Sequence, residues 1–269
     1  GDAHLEALGD RPGVLRAKSE ILQGMKNGTV IFANGDDALL SKADFGRETV
    51  LFGLGENCAV RAADVQQNGE TLSCRILAEG RDFAVTVPAY GTYMIYSVLG
   101  AAAVSLKLGL SDEEIARGLA RYETVGRRSH VVKTGFCTLV DDCYNANPAS
   151  MKSSLDVLAY ADTRKVAILG DMGELGADEL AMHREVGAYA AFKNTDVLIC
   201  IGLLSKDMAE AAKETVLATE KSMKVFHFDT KEDFYQNMNQ ILNENDTILI
   251  KASHFMEFPE IVKKLSEEV

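Results

Sequence analysis

Two different rhythms of apolar and polar residues divide the chain. From about residue 125 onward, short β-branched and apolar runs alternate with longer stretches in which apolar residues recur every three or four positions. The runs cover residues 129–133, 136–141, 165–169, 197–201, 225–228 and 247–250; the periodic stretches cover about 150–161, 178–192, 206–219, 232–243 and 257–268. Strand followed by helix, repeated, predicts βαβ units and a doubly wound parallel sheet. The N-terminal part runs differently. Val14, Ala17, Ile21, Leu22 and Met25 share one face of a predicted helix, and residues 29–33 form a short apolar run. Four alternating runs follow, 49–54, 59–65, 71–77 and 83–87, broken at Gly55-Glu56-Asn57, Asn68-Gly69-Glu70 and Gly80-Arg81-Asp82. Asn-Gly between two strands is the turn a tight hairpin favours, so a small, mainly antiparallel β region attached to an α/β core is expected. An Ala-rich helix over 94–108 and another over 112–122, with Ser111 and Glu114 as a capping box, complete this part. The polar connection 123–128 is the expected boundary, giving domains 1–124 and 125–269.

Composition narrows the function classes. The chain of 269 residues, 47% hydrophobic and 25% charged, has the balance of a soluble globular protein with room for two ordinary domains. Its richest apolar stretch, 98–110, is interrupted by Lys107 and falls short of the ~20 residues that span a bilayer. The chain does not open on the basic-then-apolar pattern of a signal peptide. Its five cysteines contain no C-x-x-C pair, so reduced thiols of a cytoplasmic protein are expected. A formal net charge of −12 argues against nucleic acid or anionic membrane as a partner. A phosphorylated ligand would need local positive charge, for which Lys18, Arg127 and Arg128 are the candidates.

The residues with chemistry gather where strands end. Val140-Asp141-Asp142-Cys143-Tyr144-Asn145-Ala146-Asn147-Pro148-Ala149-Ser150-Met151 passes from a β-branched run into carboxylates, amides and a proline, then into a helical pattern. In open α/β sheets, ligands bind at such carboxyl-end junctions, and acids and amides suit a ribose, a cation or a water. Taken alone, the junction also reads as an Asx-turn with Ser150 as helix N-cap. Gly170-Asp171-Met172 and Lys251-Ala252-Ser253-His254 repeat the strand-end placement. His183, in the helix after the first of these, reads equally well as a buried histidine with a satisfied ring.

Further segments fall in a telling order: Ala3-His4-Leu5-Glu6, Ala17-Lys18-Ser19-Glu20-Ile21, Asn34-Gly35-Asp36-Asp37, Gly126-Arg127-Arg128, Leu169-Gly170-Asp171-Met172-Gly173-Glu174-Leu175-Gly176 and His183-Arg184-Glu185-Val186-Gly187. With the strand-end motifs, and over residues 3–265, this set resembles the Mur ligases of peptidoglycan synthesis. The resemblance implies part of a central ATP-binding domain with a small antiparallel β region, followed by a Rossmann-like doubly wound α/β C-terminal domain. It implies an ATP- and Mg²⁺-dependent amide ligase acting as a monomer. ATP would convert the peptide-end carboxylate of UDP-N-acetylmuramoyl-tripeptide into an acyl phosphate, which the amine of D-alanyl-D-alanine attacks. By the same resemblance His4 and Lys18 are metal ligands, Lys18 after carbamylation of a deprotonated amine. Tyr93 falls in the adenine-pocket segment, Arg127 meets the γ-phosphate and Asp142 the ribose, and Tyr144, Asn145 and Asn147 line the same crevice. Lys18, Arg127 and Asp142 are the expected catalytic residues. Asp171, His183, Lys251 and Ser253 would face the amine substrate.

The sequence departs from that pattern at Tyr93, where His is common, at Ser97, and at Ala252 and His254 of the usual Lys-Gly-Ser-Arg. It also contains no Gly-Lys dipeptide and hence no phosphate loop of the form G-x-x-x-x-G-K-[ST]. On this reading the chain is the C-terminal portion of a longer ligase, expected to be inactive alone, with Lys18 an ordinary ammonium. Another Mur-type or folylpolyglutamate-synthase-like ligase, or a non-catalytic binding module on the same scaffold, are the alternatives.

Overall fold

A computed structural model describes residues 5–124 and 126–267. The chain divides into two compact units, one of residues 10–123 and one of residues 124–269 joined by the segment ending at Gly9. The sequence reading grouped that segment with the first unit. Instead the short helix α1 (Leu5–Leu8) lies against residues 174–178, where the Glu6 N–H donates to the Glu174 carbonyl at 3.2 Å.

The first unit opens with α2 (Arg11–Ser19), capped by Asp10, whose carboxylate accepts from the Gly13 N–H at 2.7 Å. Strands β1 (Ile31–Asn34), β2 (Thr49–Gly53), β3 (Val60–Asn68), β4 (Thr71–Ala78) and β5 (Arg81–Val87) lie side by side in chain order. The antiparallel part is β3–β4–β5, with Asn68-Gly69 turning between β3 and β4. The pairings of β1 with β2 and β2 with β3 are parallel, so the region is one mixed sheet. Leu72, Cys74 and Ile76 alternate along β4 and, with Val85 and Val87 of β5, face α3 (Ile95–Lys107). That helix answers with Ile95, Val98, Leu99, Ala102 and Ala103, the spacing of a single apolar stripe. The expected capping box opens α4 (Asp112–Leu119): the Ser111 hydroxyl accepts from the Glu114 N–H and the Glu114 carboxylate from the Ser111 N–H.

Asp36 ties the ends of β1 and β2 together. Its carboxylate accepts the N–H groups of Leu54 at 2.6 Å and Gly55 at 2.9 Å. Partial burial opposes the charge, but these two N–H groups and the Tyr96 hydroxyl outweigh it, holding the carboxyl below its ordinary value of 3.8. A folded value below the unfolded one gives stability that is fully present above the unfolded value and is lost as pH falls through the folded one. Asp36→Asn is therefore expected to be less stable than the parent at pH 7, by about 1 kcal/mol for an exposed charge-assisted site. In urea titrations the gap should close as the pH is lowered below 3.8; a gap independent of pH would exclude this account.

The second unit contains β6 (His130–Lys133), β7 (Thr138–Asp141), α5 (Pro148–Leu158), β8 (Lys165–Gly170), α6 (Glu179–Phe192), β9 (Val197–Ile201), α7 (Ser205–Thr219), β10 (Lys224–Phe228), α8 (Lys231–Ile241), β11 (Thr247–Lys251) and α9 (Pro259–Glu267). The strand order is β10-β9-β8-β11-β7-β6, parallel throughout except that β6 runs against β7. Both faces are apolar, which is why these strands read as unbroken runs rather than alternations. Leu139, Ile168, Ile199, Ile248 and Ile250 face Phe234 and Met238 of α8 and Ile261 and Leu265 of α9. Their strand neighbours Val140, Ala167, Leu169, Leu198 and Leu249 face Leu155 of α5, Val186 and Ala190 of α6 and Met208 of α7. The chain winds from β7 through β8 and β9 to β10, then returns to insert β11 between β8 and β7. That reversal is the topological switch of a doubly wound sheet, and it opens at the carboxyl ends of β8, β11 and β7.

Cys58, Cys74, Cys137, Cys143 and Cys200 are all buried free thiols. Among the described residues no helix is long and apolar enough to cross a membrane.

Gly187 sets the approach of α6 to α7. A Cβ there would stand 1.9 Å from the Met208 carbonyl oxygen, a backbone atom that cannot swing away. Gly187→Ala should therefore force the helices apart and destabilise the unit by about 3 kcal/mol, read as a lowered urea midpoint. A stability gain, as expected for Gly→Ala in an unobstructed helix, would show that the helices are not this close.

Candidate active site

The carboxyl ends of β7 and β11 are joined by a buried ion pair. Lys251, the last residue of β11, places its Nζ 2.6 Å from Asp142 Oδ2, with the two side chains 4% and 11% exposed. The same ammonium donates to the Asn145 carbonyl at 3.0 Å and the Asp142 carbonyl at 3.4 Å, using its three hydrogens. Asp142 is equally occupied: Oδ1 accepts from the Ser129 N–H at 3.0 Å, and Oδ2 also accepts from the Ser154 hydroxyl at 2.6 Å. The node thus joins the start of β6, the β7 end, α5 and β11.

Ser253 ties in the third strand end. It is buried, its N–H donates to the Asp171 carbonyl at 3.0 Å, and its hydroxyl accepts from the Gly173 N–H at 2.8 Å and donates to the Ala146 carbonyl at 3.4 Å. Asp171, at the end of β8, turns its carboxylate to the Ser205 N–H at 2.7 Å, at the first residue of α7. The residues of the β7–α5 loop divide between scaffold and surface. Asn147, rather than Ser150, is the N-cap of α5: its side chain accepts from the Ser150 N–H, and the Ser150 hydroxyl accepts from the Asn147 N–H. Pro148 then takes the first helical position, where a missing N–H costs nothing. Tyr144 and Asn145 are exposed.

His183 belongs to the core. It is fully buried, Nδ1–H donates to the Glu179 carbonyl one turn back at 2.7 Å, and Nε2 accepts from the Met172 N–H at 2.9 Å. That pattern fixes one tautomer and leaves no ring nitrogen for a ligand.

Arg127 is the open group. Its side chain is 48% exposed, and one guanidinium nitrogen lies 4.0 Å from Asp141 Oδ2. Asp141 is a residue the sequence reading left out of the site, although its place beside Asp142 was visible. Its Oδ1 accepts from the Cys143 N–H at 3.1 Å, and its other oxygen turns to Arg127. Ser154 and Ser129 were missed as well; for the first, a serine one helical turn after Ser150 was the only signal in the sequence. The structure therefore gathers Arg127, Asp142, Tyr144, Asn145, Asn147, Asp171, Lys251 and Ser253 around the ends of β7, β8 and β11. Lys18, exposed on α2, and Tyr93, half-buried before α3, belong to the first unit. His4 lies outside the described residues. Among the described residues no group of three or more His, Cys, Asp or Glu side chains could hold a metal ion.

The closed state of the node predicts the effect of opening it. Lys251→Ala would leave Asp142 buried without its counter-charge, at a cost of about 3–5 kcal/mol. The expected result is a large fall in the thermal midpoint with no ligand present; an unchanged midpoint would mean that Lys251 is free to serve a ligand.

Comparison with known proteins finds relatives along nearly the whole chain. The Mur ligase middle domain model matches residues 1–105, and the Mur ligase, glutamate ligase domain model matches residues 126–254. The UDP-N-acetylmuramoyl-tripeptide–D-alanyl-D-alanine ligase of Bacillus subtilis is 32% identical over 270 residues, covering 99% of this chain and 58% of the relative. The ligase of the same name from Haemophilus influenzae is 28% identical with the same two coverages. Among solved structures, MurF from Acinetobacter baumannii superposes with a TM-score of 0.87 at 25% identity, over 100% of this chain and 58% of that one. The chain thus spans 58% of the length of each of these relatives.

Proposed function

The chain belongs to the Mur ligase family, and from that premise we propose that the protein is an ATP-dependent amide ligase joining D-alanyl-D-alanine to UDP-N-acetylmuramoyl-tripeptide. The observation that carries this reading is Arg127: a half-exposed guanidinium at the carboxyl end of β7, beside the buried Lys251–Asp142 pair, which neutralises itself. A planar, permanently charged fork suits phosphate oxygens, which it binds in a bidentate way. In phosphoryl transfer, stabilising the charge on those oxygens is the main task of the protein.

The remaining residues take roles that their bonding permits. Asp142 and Lys251 are committed to each other, so their part is to hold the crevice in shape rather than to touch a ligand. Nucleoside contact then falls to the exposed Tyr144 and Asn145. The amine substrate falls to the ends of β8 and β11, where Gly173 and Ser253 are bonded together and Phe255 is exposed. Lys18 and Tyr93 keep, from the family resemblance, their roles as metal ligand and adenine neighbour. His4 and Lys18 are the Mg²⁺ ligands that the resemblance implies, Lys18 only as its carbamate because an ammonium has no lone pair to offer, and the metal would supply charge neutralisation at the phosphates. The described residues offer no converging cation cluster of their own. The reading implies a cytoplasmic monomer.

The test is made on the protein expressed from its complete reading frame. Release of ADP coupled to pentapeptide formation is expected. Arg127→Lys keeps the charge but loses the fork, and kcat/KM for ATP should fall roughly 10- to 150-fold, the equivalent of one charge-assisted hydrogen bond. Unaltered ATP kinetics in this variant would sink the assignment of Arg127.

A further inference from the structure

Arg127 sits on a turn that has no regular secondary structure of its own. Residues 126–128 are exposed, and Gly126 (φ 70°) and Ser129 (φ 52°) are both left-handed. Glycine adopts that backbone freely; serine does so only when its surroundings hold it there. Three contacts tie the turn to the β7–α5 loop. The Ser129 N–H donates to buried Asp142. The Tyr144 N–H donates to the Arg127 carbonyl at 3.2 Å. The Arg128 guanidinium lies 4.1 Å from the centre of the Tyr144 ring. Ser129 is fixed by the ion-pair node and the Arg127 backbone by the Tyr144 N–H, so the stack of Arg128 on Tyr144 is the side-chain contact that adds to them on the exposed half of the turn.

We propose that Arg128 and Tyr144 are positioning residues for Arg127: their stack holds the turn so that the Arg127 guanidinium faces the β7 end before any phosphate arrives. This rests on the assignment of Arg127 to a phosphate group. The physical reason is preorganisation. A flexible arginine on an unpinned turn must lose its freedom when it binds, and that loss subtracts from the stabilisation of the transferring phosphoryl group. The stack removes part of that freedom in advance, because a guanidinium and a ring meet over an area and resist rotation of the residue between them and the loop. The inference gives a task to Arg128, which no ligand contact requires, and a second task to Tyr144 besides lining the nucleoside crevice.

The test is epistasis in the protein from the complete reading frame. Tyr144→Leu and Arg128→Leu should each lower kcat/KM for ATP about fivefold, the scale of an exposed cation–π contact, with KM for D-alanyl-D-alanine little moved. Tyr144→Phe, which keeps the ring, should recover most of that loss, and the double Leu variant should be no worse than Tyr144→Leu alone. In an Arg127→Leu background Arg128→Leu should cost nothing further, since a residue acting through Arg127 has nothing left to position, while Tyr144→Leu should cost less than it does beside an intact Arg127, keeping only the loss of its nucleoside contact. A loss for Arg128→Leu that persists undiminished in that background overturns the proposal, as does a loss for Tyr144→Leu with none for Arg128→Leu, the result of a tyrosine that only stacks on the base. If Arg127→Leu is itself silent, the phosphate assignment fails and takes this proposal with it. If Arg127→Leu is damaging but both Leu variants are normal, the assignment stands and only the positioning role falls.

Discussion

The strand-end region depends on the burial of one ion pair, Lys251 with Asp142. Removing two charges from water costs several kcal/mol for each, and their attraction offsets this only when the remaining lone pairs and protons are also bonded. That condition dictates the neighbourhood. The ammonium needs two further acceptors and finds them in the carbonyls of Asn145 and Asp142. The carboxylate needs donors and finds the Ser129 N–H and the Ser154 hydroxyl. The two carbonyls lie in the β7–α5 loop, Ser129 at the start of β6 and Ser154 on α5, so satisfying one pair fixes these elements and β11 relative to one another. Ser253 extends the same logic to β8 through Asp171 and Gly173.

The second unit was legible in outline because its strands are buried on both faces. A parallel sheet under helices demands apolar runs, and runs such as 197–201 stand out against the helical periodicity around them; β9 is buried at every position. The order of the strands was not legible, since the insertion of β11 between β8 and β7 is a non-local choice that no local pattern encodes. The first unit shows the same limit. Alternation and Asn68-Gly69 gave the hairpin of β3 and β4, yet nothing in the residues of β1 or β2 states that they join the same sheet in parallel.

At the site, strand-end position was readable and bonding state was not. The partners that close Asp142 lie 12, 13 and 109 residues away, so its commitment to the scaffold depends on tertiary structure alone. His183 is an intermediate case. Its bond to the Glu179 carbonyl is local to the helix, but the bond from Met172 requires the loop after β8 to fold back over α6. The helix cap moved for a smaller reason. Asn147 before a proline and Ser150 three residues later form a reciprocal cap, which satisfies two N–H groups where Ser150 as N-cap would satisfy one.

The two adjacent aspartates show how one strand end can serve both structure and chemistry. Successive side chains of a strand point to opposite faces, and along β7 Leu139 faces the α8 and α9 side while Val140 faces the α5 to α7 side. Continued past the end of the strand, the alternation turns Asp142 toward α5, where Ser154 and Lys251 seal it. It turns Asp141 the other way, where one oxygen is spent on the Cys143 N–H and the other faces an arginine that is half in solvent. Both carboxylates are buried, with Asp141 at 7% and Asp142 at 11% side-chain exposure. They differ in their counter-charges. Asp142 shares a buried ammonium at 2.6 Å and gives the loop its shape, whereas Asp141 meets at 4.0 Å a guanidinium that is 48% exposed, a weaker attraction that keeps Arg127 at the strand end.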